Sequence, residues 1–177
     1  MKIVSAVAIV ALFAAAPAFA QVSTTEKTGL NAVVGAAPST ADFVTEVAIS
    51  DMFEIQSSEL AGQKSDAATK TFAGQMVTDH KKTSGELKAL IQTAKLNVTP
   101  PPTLDASHQK MLDKLKSESG EAFTKDYHSD QVSAHKAAVS LFERYGKNGD
   151  NPALKDWANK TLPALQHHLE MAQALDK

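Results

Sequence analysis

From residue 41 onward the chain keeps one rhythm, in which apolar side chains return every three or four positions, the spacing of one α-helical face. Over about 41–62 the stripe is Phe43, Val47, Ser50, Glu54 and Ala61, with Val44, Ala48, Met52 and Ile55 beside it. Over about 66–95 Ala73, Met76, His80, Thr83, Leu87, Leu90 and Ala94 repeat in heptad order. A shorter helix, about 104–117, brings Leu104, Met111, Leu112 and Leu115. Over about 121–146 the stripe is Phe123, Tyr127, Gln131, Ala134, Ala138, Leu141 and Tyr145, with His135 and Phe142 one position round. The last, about 153–175, carries Leu154, Ala158, Thr161, Leu165, His168, Ala172 and Leu175. Pro163 predicts a mild kink in it, and Trp157, one residue off the stripe, is expected to cover its edge.

The breaks are as informative as the stripes. Ser39 or Thr40 can cap the first long helix, and Asp42 suits the positive end of its dipole. Asn97 to Pro102 ends in three prolines, which cannot continue a helix. Gly146 to Pro152 is a turn, with Asp150 or Asn151 as cap and Pro152 suited to a first helical position. No stretch alternates with the period of a strand. Four amphipathic helices, with a long connection between the second and third that holds its own short helix, predict an all-α fold: a ferritin-like four-helix bundle over 40–177, the extra helix lying in the crossover.

Residues 1–20 are written differently. Lys2 precedes an apolar run from Ile3 to Ala16, Pro17 breaks it, and Ala18-Phe19-Ala20 has the small-x-small form of a signal-peptidase site. The run is too short for a comfortable membrane span, and Gln21 in place of Cys excludes lipoprotein processing. The expectation is a periplasmic or secreted protein, with 21–39, rich in Thr, Gly, Ala and Ser, as a flexible leader. The whole chain has a formal charge of −2, and loss of Lys2 with the leader makes the remainder slightly more acidic. Bulk electrostatics therefore give it no attraction to nucleic acid or anionic lipid, while a protein partner or homo-oligomer stays open. With no cysteine there is no disulfide, no zinc–thiolate site and no CxxCH haem attachment.

Chemistry enters where polar residues interrupt the apolar stripes. Glu54, His80, His135 and His168 each lie about fourteen residues into a helix, some 20 Å from its start. Antiparallel pairing then sets hairpin partners roughly 7 Å apart in height, so the four share the middle of the bundle without being forced to one point. One reading is a transition-metal site for Zn, Cu, Fe or Mn. The other is a buried hydrogen-bonded network in which Glu54 accepts from imidazoles. Ferritin-type di-iron chemistry needs Glu-x-x-His pairs, and no Glu here has a His three positions on; Asp105-x-x-His108 is the nearest approach. Met76 shares a face with His80, and Met171 with His168, as copper or haem ligation would use, although methionine at that spacing also serves as core filler. His108, His128 and His167 lie off the stripes and are expected to be solvated. No nucleophile elbow or phosphate-cradling loop occurs, so nothing points to an enzyme.

Phe43-Val44 with Glu54-Ile55, Phe72-Ala73 with Met76-Val77-x-Asp79-His80, and Glu86-Leu87-x-x-Leu90 resemble the first half of an exported bacterial family, domain of unknown function 4142, described as ferritin-like. Gly120-x-x-Phe123, Tyr127, His135 and Thr161-Leu162-Pro163-x-Leu165-x-x-His168-Leu169 resemble its second half. The resemblance runs from Asp42 to Leu175 and puts the family's pattern on Glu54, Asp79, His80, Tyr127, His135 and His168. Thr124 departs from it, standing where the family often has Asp. The resemblance implies fold and export, and brings no activity with it.

Overall fold

The computed structural model describes residues 21–176, so the expected signal peptide lies outside the described residues. Seven helices occur among them: α1 (Thr24–Lys27), α2 (Leu30–Val33), α3 (Thr40–Lys64), α4 (Ala67–Thr93), α5 (Ala106–Ser117), α6 (Gly120–Asn148) and α7 (Pro152–Leu175). Local chemistry sets the starts. Ser39, Asp66, Asp105 and Asn151 each accept, through the side chain, a hydrogen bond from the backbone N–H three residues on, at 2.9–3.1 Å. Pro152 occupies the first turn of α7, and Pro163 lies inside that helix without ending it. Gly120 takes a φ of +60°, which lets the chain turn from α5 into α6 at no Cβ cost.

Side-chain contacts give the direction of each helix. Thr40 at the start of α3 meets Tyr145 near the end of α6, and Ser58 late in α3 meets Tyr127 early in α6. Trp157 early in α7 reaches Glu86 late in α4, and His168 late in α7 reaches Asp79. Thus α3 runs against α4 and α6, and α7 runs against both as well. The pair α4 and α6 consequently run parallel, on opposite corners. The crossover makes this possible: Leu96 and Val98 pack at one end of the molecule, Leu104, Met111 and α5 at the other. Lys64 Nζ fastens α5 by donating to the carbonyls of Leu115, Lys116 and Glu118 at 2.8–3.0 Å.

The interior has three storeys. One end is closed by Phe43, Val47, Leu87, Phe142, Tyr145, Trp157 and their neighbours, the other by Phe53, Phe72, Met76, Leu112, Phe123, Tyr127 and theirs. Between these apolar clusters lie Asp51, Glu54, Ser57, Gln131 and three histidines, all buried. Trp157 belongs to the first cluster rather than to an edge. The stripe expected for α3 was also too narrow: Asp51, Phe53 and Ser57 are inside, while Ser50, Met52 and Ile55 are half-buried. The reason is that α3 packs against α4, α5 and α6, so it buries more than one face.

Residues 21–39 have no helical pattern in sequence, yet they hold two single-turn helices and contacts to the long ones. Glu26 pairs with Arg144 of α6 at 2.5 Å, Arg144 also donates to the Ala36 carbonyl, and the Ser23 N–H donates to Asp42. None of the described helices is long and apolar enough to cross a membrane.

Candidate metal centre

The parallel run of α4 and α6 is what assembles the polar storey. His80 and His135 both stand about fourteen residues in from the start of their helices, so parallel helices bring them to one height. The expected offset applied to antiparallel pairs, and these two are not one. His168 enters from α7, and the three rings meet with centroids 5.5–5.7 Å apart. One ring nitrogen from each lies within 4.8 Å of the others. All three residues are buried.

Each imidazole is held from behind. His80 Nδ1 donates to Asp51 Oδ1 at 2.8 Å, and Ser84 Oγ donates to the other oxygen of Asp51 at 2.9 Å. His135 Nδ1 donates to the Gln131 carbonyl at 2.9 Å, and His168 Nε2 donates to Asp79 Oδ2 at 2.9 Å. An acceptor on one nitrogen puts the proton there and leaves the lone pair on the other. Those other nitrogens, His80 Nε2, His135 Nε2 and His168 Nδ1, are buried and have no partner in the protein. In their neutral forms the three rings present three lone pairs in fixed tautomers, each backed by an oxygen acceptor, as metal-ligating histidines are.

Glu54 stands beside this set rather than in it. Its Oε1 is 3.9 Å from His135 Nδ1, the nitrogen already bonded to Gln131, and neither carboxylate oxygen has a hydrogen-bond partner. Burial pushes its carboxyl above the ordinary range, with the nearby His80 pulling the other way. Burial likewise depresses His135 to about 4, helped by repulsion from His80. His168 is depressed to about 4 by burial against the opposing pull of its Asp79 bond. Burial would depress His80 too, but the Asp51 bond and the charges of Glu54, Asp51 and Asp79 outweigh it and hold its pKa above the usual imidazole value. Asp51 is itself pushed up by burial despite its His80 bond. Burial thus favours neutral, coordinating imidazoles at His135 and His168, while His80, beside Asp51, holds its proton to higher pH than they do.

The remaining histidines sort differently. His108 packs edge-on against Phe53 and bonds to Asp105, and His128 bonds to Thr69 at 2.9 Å, so both are half-buried rather than solvated. His167 is exposed. Met76 lies in the apolar cluster and Met171 packs against it. The residue missed by the stripe argument is Asp51. It lies three positions before Glu54, a helical neighbour of that residue, and this spacing was its only signal in the sequence.

Residues 25–175 match the family described as "Domain of unknown function (DUF4142)". No curated protein matches the chain. Among solved structures, "CopM in the Cu(II)-bound form" is similar at 16% sequence identity and a TM-score of 0.65, over 79% of this chain and 97% of that one. At that identity the likeness speaks for the fold.

Proposed function

The chain belongs to the family described as Domain of unknown function (DUF4142), and we propose that it is an exported, ferritin-like four-helix-bundle protein that binds copper(II) at His80, His135 and His168. The observation that carries the reading is the set of three buried ring nitrogens without partners, each on a ring whose other nitrogen is held by an acceptor. A purely structural network would spend those lone pairs on neighbouring donors, because buried polar groups are normally satisfied. Here the donors all point outward, to Asp51, Asp79 and a helix carbonyl.

Imidazole donors suit Zn, Cu, Fe and Ni, while Mn favours carboxylates, and among divalent ions at one nitrogen site Cu(II) binds most tightly. The Cu(II) of the similar CopM structure supports the same choice. The carboxylates of Asp51 and Asp79 stand behind two of the ligand rings, where their negative charge would partly balance that of a divalent ion. Glu54 adds a third, within reach of His135. Bound copper would supply a Lewis-acidic or redox centre. His80, His135 and His168 would bind and hold it, and none of the residues around them is arranged as a nucleophile or general base toward a substrate.

Copper(II) titrated into untagged protein should bind at one ion per chain, with an electron paramagnetic resonance spectrum split by imidazole nitrogens. At a hundredfold excess over Kd it should stabilise the fold by ~2.7 kcal/mol, read as a rise in Tm. His80→Ala and His168→Ala should each abolish that rise, and His167→Ala, an exposed position, should leave it intact. A flat titration with both copper and zinc would leave only the hydrogen-bonded reading. Export is tested separately by the mass of the mature chain, expected to begin at Gln21.

A further inference from the structure

The triad is buried, so an ion needs a way in. We propose that the metal reaches it through the surface cleft between α4 and α7, with Asp79 as its first protein ligand and His168 as the ring that admits it. This rests on the metal reading above and concerns how the site is filled.

The cleft has a volume of about 470 Å³, and Asp79, Thr83, Glu86, Trp157, Ala164 and His168 are among the residues that line it. It lies along the seam where α4 meets α7, which pack less closely than α3 with α4 or α6 with α7. Polar groups follow one another inward. The Glu86 side chain, paired with Lys82, is 44% exposed and Asp79 39%, whereas His168 is 4% exposed. His168 therefore belongs to both places, bonding to Asp79 at the cleft and lying against His80 and His135 inside. Its Nδ1 is buried without a partner. A hydrated divalent ion entering the cleft meets the wetted, negatively charged carboxylate first, and imidazole nitrogen further in suits copper better. Asp79 and His168, hydrogen-bonded at 2.9 Å, are those two ligands in sequence.

Two other cavities come close and lack this order. The cleft lined by Ala48, Met52, Leu87 and Ile91 is largely apolar, and it reaches the site only through Ser84 and Asp51, behind His80. The cavity at α3 and α6 includes Ala134 and Ala137 but not His135, and the Glu26–Arg144 pair stands in its wall.

Trp157 is the only tryptophan in the chain and lines the proposed path, so copper quenching of its fluorescence reports arrival. Copper(II) is mixed rapidly with the full mature chain, and occupancy is measured in parallel by equilibrium dialysis and metal analysis. Ala164→Leu, at an exposed position in the cleft, should slow the quenching at least tenfold. Stoichiometry and Kd should stay as in wild type, because filling the path slows release equally. Asp79→Asn keeps an oxygen to hold His168 but loses the charge, and should also slow capture more than it weakens binding. Ala137→Leu, in the cavity at α3 and α6, should change neither. Full binding with unslowed quenching in both Ala164→Leu and Asp79→Asn would overturn the route and leave the metal site standing. Absence of copper from wild-type protein, or full copper occupancy by dialysis in His80→Ala, would overturn the metal site and the route together.

Discussion

Around Phe43 the interior is closed by ring against ring: Tyr145 is stacked on it at 4.0 Å, Phe142 lies edge-on at 5.1 Å and Trp157 at 6.2 Å. Three turns further along α3, at the height of Glu54, three more rings meet at 5.5–5.7 Å, oblique or edge-on and none stacked. Both places are built of rings in mutual contact, and packing alone does not explain the second. What separates them is what each ring edge carries. The benzene and indole edges are hydrocarbon, and the two polar handles reach out of the cluster, Tyr145 to Thr40 and Asp150 and Trp157 to Glu86. Each imidazole has one nitrogen similarly tied outward, but its other nitrogen stays inside with no partner. The first arrangement gains from burial and dispersion. The second forgoes part of that gain to keep three lone pairs dry, a cost that the proposed ion would offset.

The strongest blow to this contrast falls on the apolar end. Phe43→Ala should cost ~3–5 kcal/mol in a urea melt, because the ring is fully buried and its neighbours cannot all collapse into the space. Copper stoichiometry in the folded fraction should not change. A cost below ~1 kcal/mol would mean that the aromatic cluster is not what closes this end. A smaller effect divides the polar storey within itself. In metal-free protein His80→Ala should cost ~1–3 kcal/mol, since it strands the buried Asp51 carboxyl. His135→Leu should cost much less, because the acceptor it leaves is only the Gln131 carbonyl of its own helix. Equal costs would show that the storey acts as one network.

The finest test is with pH. His135 and His168 are neutral down to about 4, whereas His80 holds a proton from above the ordinary imidazole value. Between there and about 4, copper displaces a proton from His80 alone, so its affinity should fall about tenfold per pH unit. Below about 4 the other two rings begin to compete and the slope should steepen. A loss near a thousandfold per unit from the start would show three ordinary histidines and no electrostatic division among them.

Much of this was legible from residue types alone. The capping roles of Ser39 and Asn151, the triple-proline stop after the second long helix and the heptad stripes through Leu87 and Leu165 are local facts. Backbone hydrogen bonding and side-chain periodicity act within a few residues, so the sequence states them directly. The inward placement of His80, His135 and His168 was legible for the same reason. Asp51 was not, because one stripe cannot show that α3 is covered on several sides.

Sequence by itself determined the five longer helices, their boundaries to within a few residues, and most of the positions that face inward, α3 excepted. Tertiary structure decided which of those positions meet. The crossover carries the chain from one end of the molecule to the other, so α4 and α6 run parallel and set His80 level with His135, while Glu54 is left beside the group. It also decided which nitrogen of each ring is tied and which is free, since the acceptors for His80 and His168, Asp51 and Asp79, stand on other helices. Periodicity fixes the direction of a side chain within its own helix. Height and hydrogen-bond partner depend on how separate helices are joined and packed, and no local spacing encodes that.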